Sequence, residues 1–116
     1  MEKANKVSVW LGNFDSKREF GNYMEEQFDE EGDMTSVFMS DFEIEFIDSQ
    51  FQEVLYDDNL KKENLMSASY SESFLDCITA DFSKYNCIVL LYDFNYHGKV
   101  KNTDKMIFVG VYDYSN

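Results

Sequence analysis

Proline is absent from this 116-residue chain, and glycine occurs only five times. With no proline and no Gly/Ser-rich stretch, nothing marks a linker, so residues 1–116 read as a single domain. The scattered glycines offer no phosphate-cradling loop, and no cofactor is implied. Cysteine is scarce too. Cys77 and Cys87 are too few for a disulfide framework and read as two small buried thiols in a reducing cytoplasm. The one histidine, His97, lies beside Gly98 in a polar stretch and reads as a surface residue rather than a general base. No nucleophile elbow is present, so no catalytic residue is assigned. No apolar run reaches the roughly 18 residues of a membrane helix, and Met1–Lys6 does not open a signal peptide.

Positive charge is the other shortage. Ten lysines and arginines face 23 acids, for a net charge of −13. The imbalance is one-sided: residues 1–58 hold sixteen acids against four bases, residues 59–116 seven against six. Nucleic acid and anionic membrane surfaces are excluded as partners by like charge. The composition is nevertheless that of a folded domain. Hydrophobic residues make up 44% and aromatics 17%, and each aromatic ring can bury about 150–250 Å². An acidic disordered tail lacks such residues.

Patterning predicts the elements. Lys6–Phe14 alternates, with Val7, Val9 and Leu11 on one side and Trp10 on the other, which is a strand. Trp10-Leu11-Gly12 is read as core rather than as a recognition motif. Ser16 and Glu19 have capping-box spacing, and Phe20, Tyr23, Met24 and Phe28 continue a buried helical stripe towards a C-cap at Gly32. Thr35–Ser40 suits a short helical turn. Period two returns with Phe42, Ile44 and Phe46 inward and Asp41, Glu43 and Glu45 outward, and Phe51–Tyr56 reads as a further strand. Leu60–Met66 suits a short helix. Ser69 and Glu72 open a second amphipathic helix running to about Lys84. Cys87–Tyr92, apolar without alternation, suits a central strand covered on both faces. After a polar loop, Met106–Tyr114 is a last strand that could pair with Cys87–Tyr92 as a hairpin. The expected fold class is α+β: a mostly antiparallel or mixed sheet of four to five strands with two main helices on it.

On that reading the acids break a rule. Glu25, Glu26, Asp29, Glu30, Glu31 and Asp33 would crowd the negative end of the first helix, unfavourable by roughly 0.3–1 kcal/mol per exposed carboxylate. Glu25/Asp29 and Glu26/Glu30 would be like-charge i,i+4 pairs. Such a conflict is relieved by a cationic partner, and local rules break most often at functional sites. The plain alternative is a solvated face that maintains solubility. Asp29–Asp33 lacks calcium-loop spacing and the cysteines lack a CxxC partner, so no metal site is assigned; weak, nonspecific calcium binding is the remaining option. The candidate partner-binding residues are Glu26, Asp29, Glu30, Glu31, Asp33, Glu43 and Glu45, with Tyr70 as an exposed aromatic anchor.

Several segments together carry a resemblance. They are Val7-Ser8-Val9-Trp10-Leu11-Gly12-Asn13-Phe14, the acidic Glu25-to-Asp33 stretch, Phe38 with Asp41-Phe42, Ser69-Tyr70-Ser71-Glu72-Ser73-Phe74, and the closing hairpin. Over almost the whole chain the sequence resembles the Immunity protein 22 family, small cytosolic antidotes of bacterial polymorphic-toxin loci. The resemblance implies an α+β fold and the neutralisation of a cognate toxin encoded nearby. It transfers no binding residue position by position. A nuclease, whose phosphate cleft is cationic, is the toxin class that the charge suits. Two other classes remain open on the residues alone: an acidic nucleic-acid mimic that regulates a DNA- or RNA-binding protein, and a small carboxylate-based enzyme.

Overall fold

The alternation of the first strand sets the architecture. In the computed structural model, which describes residues 1–65, 68 and 70–115, β1 (Glu2–Gly12) sends Val7, Val9 and Leu11 to one face of a sheet and Trp10 to the other. Both sets are fully buried. A strand buried on both faces belongs at the centre of a sheet, and β1 lies between β5 (Cys87–Phe94) and β6 (Met106–Asp113). The order is β4-β5-β1-β6, with β4 spanning Gln52–Tyr56 and every pairing antiparallel. The expected hairpin of the last two strands does not form, because β1 separates them. The loop after Phe94 crosses to the far side of β1. It is held there by Phe108 N–H on the Lys101 carbonyl (2.7 Å) and Thr103 N–H on that of Met106 (2.8 Å). The Tyr96 hydroxyl, shared between the carbonyls of Val100 (2.7 Å) and Phe42 (3.0 Å), ties the loop to the layer above.

The Trp10 face is covered by residues 14–47. Helix α1 (Lys17–Met24) starts where the capping box places it, with Glu19 N–H on Ser16 Oγ at 3.1 Å, and buries Phe20, Tyr23 and Met24. It stops at Met24, well before Gly32. Glu25 turns extended, and β2 (Gln27–Phe28) pairs with β3 (Met34–Thr35) as a separate small hairpin. Phe28, expected in the buried stripe, is 69% exposed. Gly32 does take a left-handed φ of +85°, but in the hairpin turn. Ser36 then caps α2 (Val37–Asp41) by accepting Met39 N–H at 3.1 Å. Phe38 and Phe42, one turn apart, set their rings edge-on to Trp10. The expected strand at Asp41–Phe46 is therefore absent: Phe42 closes a helix, Glu43 adopts φ +56°, and Phe46 points to solvent beside buried Ile44 and Ile47.

The Val7 face is covered by short turns rather than a second main helix. Of the helix expected at Leu60–Met66, Lys62–Leu65 is 3₁₀ and Leu60 and Lys61 are not helical; Met66 and the cap expected at Ser69 lie outside the described residues. The segment expected to be helical to Lys84 is α3 (Ser71–Phe74) followed by 3₁₀ turns at Leu75–Cys77 and Phe82–Lys84. Its apolar spacing is genuine, since Phe74, Ile78 and Phe82 are all buried. The backbone leaves the helix at Phe74 and is extended at Ile78, and Asp81 opens the last turn by accepting the Ser83 N–H at 3.0 Å, a local bond that competes with the helical ladder. Cys87 is buried as expected, and its thiol is pushed up to about 12 by burial; Cys77 is exposed, contrary to expectation, and both are free.

Candidate functional site

Residues 19–60 contain fourteen acids and no lysine, arginine or histidine. The fold gathers eight of these acids into two features. The first is the β2–β3 hairpin. Asp29 folds its tip: its carboxylate accepts Glu31 N–H and Asp33 N–H, both at 2.9 Å, while its carbonyl accepts Gly32 N–H at 3.0 Å. Glu26, Asp29, Glu30, Glu31 and Asp33 are all exposed. The helix-dipole conflict expected from the sequence does not arise, because the helix ends before the acids begin. The charge density remains, on a hairpin instead of a helix end.

The second feature is a groove at one end of the sheet. Its floor is Ile44, Ile47, Leu91 and Phe94, all nearly fully buried. Phe46 (69% exposed) and Phe51 (44% exposed) form its walls. Glu43, Glu45 and Asp48 stand along it, and its volume is about 420 Å³. Past Phe51, Tyr92 and Asp93 it continues into a second cavity of about 380 Å³, bounded by Glu53, Tyr70 and Tyr114. Among the described residues no lysine, arginine or histidine lines either part.

Each lining group has a structural origin. Asp48 caps the 3₁₀ turn Ser49–Phe51 by accepting Gln50 N–H at 3.0 Å, and that turn orients Phe51. Asp93, at φ +54°, accepts from Asn5 N–H (2.9 Å) and from the Tyr114 hydroxyl, locking the irregular start of β1 onto β5. Tyr114 is pushed up to about 12, first by burial and then by this bond to Asp93. Tyr70 stacks on Tyr114 at 5.1 Å between ring centroids and remains 45% exposed.

Of the sequence-predicted residues, the groove brings together Glu43 and Glu45, Tyr70 borders the adjoining cavity, and the five hairpin acids lie outside both linings. Among the described residues none of these seven acids forms an ion pair; lysines pair instead with Glu19 and Asp113. Asp41 is not part of the outward row, since its carboxylate accepts the Tyr23 hydroxyl at 2.8 Å. Phe46, Phe51 and Asp48 were not singled out from the sequence. Phe46 was hidden by its apparent alternation with Phe42 and Ile44. The signal for Phe51 was the Asp48-Ser49 turn just before it. Trp10 is core: its indole N–H has no oxygen or nitrogen partner among the described residues and sits among four rings with centroids 5.1–5.8 Å away.

Fold and groove together define a small α+β domain whose candidate site is lined by carboxylate, aromatic and aliphatic side chains. The chain belongs to the Immunity protein 22 family, whose model matches residues 7–115. That membership assigns an immunity function and, with it, a toxin as partner; such families are generally non-enzymatic. No curated protein and no solved structure matches the chain. Among the described residues no helix is long and apolar enough to cross a membrane.

Proposed function

We propose that this protein neutralises a cognate bacterial toxin domain in the cytoplasm by covering a cationic active site, such as a nuclease cleft, with the acidic surface of residues 19–60. One observation carries the reading: fourteen acids occur in 42 consecutive residues without a single base, and among the described residues Glu26, Asp29, Glu30, Glu31, Asp33, Glu43 and Glu45 form no ion pair. A surface of one sign raises the rate of encounter with the opposite sign, towards about 10⁸–10⁹ M⁻¹s⁻¹ at low salt. Carboxylates held on a hairpin can stand where the substrate's phosphates would stand. Glu26, Asp29, Glu30, Glu31 and Asp33 supply the long-range attraction, and Glu43, Glu45 and Tyr70 the contacts nearer the sheet.

The test is co-purification with the product of the adjacent toxin gene, followed by association kinetics. The double variant Glu30→Lys/Glu31→Lys is expected to slow association roughly tenfold at low salt and to flatten its salt dependence. An association rate that is unchanged at every ionic strength would remove the hairpin from the docking face.

A further inference from the structure

We infer that the groove between Glu43–Asp48 and Phe51 is the seat for a basic, arginine-bearing loop of the partner protein, a contact separate from the attraction supplied by the hairpin. The inference rests on the partner being a cationic protein, as proposed above. Three properties of the groove select this occupant. Its volume of about 420 Å³ lies within the roughly 300–1,000 Å³ of ordinary ligand sites. Its floor is apolar, and two exposed phenylalanines, Phe46 and Phe51, line the same groove, which is unfavourable unless something covers them. Its rim is acidic: Glu2, Glu43, Glu45 and Asp48 line it with no lysine, arginine or histidine among the described lining residues, the amino-terminal Met1 being the one lining residue that bears a cationic group.

These properties exclude most alternatives. Phosphate or another anion meets Glu43, Glu45 and Asp48. A purely apolar ligand would strand the same carboxylates in a drier environment, which is unfavourable. Among the described residues no cluster of three carboxylate, cysteine or histidine side chains is placed to hold a metal ion. An arginine or lysine side chain satisfies both halves of the site. Its methylene stem lies on Phe46 and Phe51 while its charged head reaches the carboxylates, and an arginine plane can also stack on a ring face. The hairpin acids are expected to act on the rate of arrival, and the groove on the lifetime of the complex, because truncating a buried anchor acts on dissociation.

The experiment needs no knowledge of the toxin. The blocked tripeptide acetyl-arginyl-leucyl-arginine amide is titrated into the methyl-labelled full chain, and the signals of Ile44, Ile47 and Leu91 are followed by NMR. Saturable shifts at these methyls are expected. They should weaken roughly tenfold in Phe46→Ser, an exposed position whose replacement leaves the core intact, and disappear in Glu43→Gln/Glu45→Gln. The matching acetyl-glutamyl-leucyl-glutamate amide should produce none. The inference is overturned by an absence of shifts up to millimolar peptide, by shifts that survive both variants, or by equal shifts with the acidic peptide. If the adjacent toxin fails to bind the wild-type protein, the proposed function falls on its own, and the peptide titration still reports on the groove. If the toxin binds and Phe46→Ser leaves its dissociation rate unchanged, the groove alone is excluded.

Discussion

The two faces of the sheet are covered by layers of different character. Over the Trp10 face, residues 14–47 contribute interlocking rings: Trp10 meets Phe38, Phe42, Tyr96 and Phe108, and Phe14 meets Phe20 and Tyr23. This layer also carries eleven acids against two bases. Over the Val7 face, residues 60–85 contribute mainly aliphatic groups and Phe74 and Phe82 from short turns, with four acids against three bases. The difference teaches where binding charge can be placed. A densely packed aromatic layer supports a hairpin and a groove rim that are electrostatically unfavourable, because aromatic burial and ring contacts, worth about 0.5–1.5 kcal/mol per pair beyond area, offset like-charge repulsion.

Three measurements would break or sharpen that contrast. The largest effect is expected at the aromatic centre. Trp10→Ala should destabilise the fold by about 3–5 kcal/mol in a denaturant titration, a large part of the roughly 5–15 kcal/mol that such a domain has. Equal loss from Ile78→Ala in the other layer would show that the two layers are energetically alike. Next comes alkaline stability. Tyr114, on the Val7 face, has its pKa raised from 10.0 to about 12 in the fold. The unfolded chain therefore releases this proton first, and stability present below pH 10 is lost as pH rises towards 12. Tyr114→Phe should make the fall in melting temperature over that range shallower; an unchanged slope would assign the loss to the other buried tyrosines. The smallest effect is chemical. A thiol reagent at neutral pH should modify Cys77, in the layer of short turns, and leave Cys87, beneath the aromatic layer, until the protein unfolds. Rapid modification of both would show that the aromatic layer opens readily.

Legibility from sequence followed the range of the interaction. Strand β1, the Ser16 cap, the central strand β5 and the burial of Trp10 rest on neighbours a few residues apart, and all were readable. The apolar spacing of Phe74, Ile78 and Phe82 encodes their burial but not one helix, because the backbone breaks at Phe74 and Ile78 and Asp81 caps a separate turn without changing which side chains face the core. Glu25–Asp33 shows the reverse: the electrostatic penalty computed for a helix was sound physics, and the chain avoids it by ending the helix at Met24.

By itself the sequence determined the α+β composition, the buried β1, and the concentration of acid in the first half, since these depend on residue type and local period. Only the tertiary structure decided that β1 would separate β5 from β6, that a hairpin and a groove would each gather acids, and that Phe46 and Phe51 would line one groove with Glu43 and Glu45. Those outcomes depend on contacts between residues far apart in the chain, such as Tyr96 with Phe42 and Asp93 with Asn5, which no local pattern encodes.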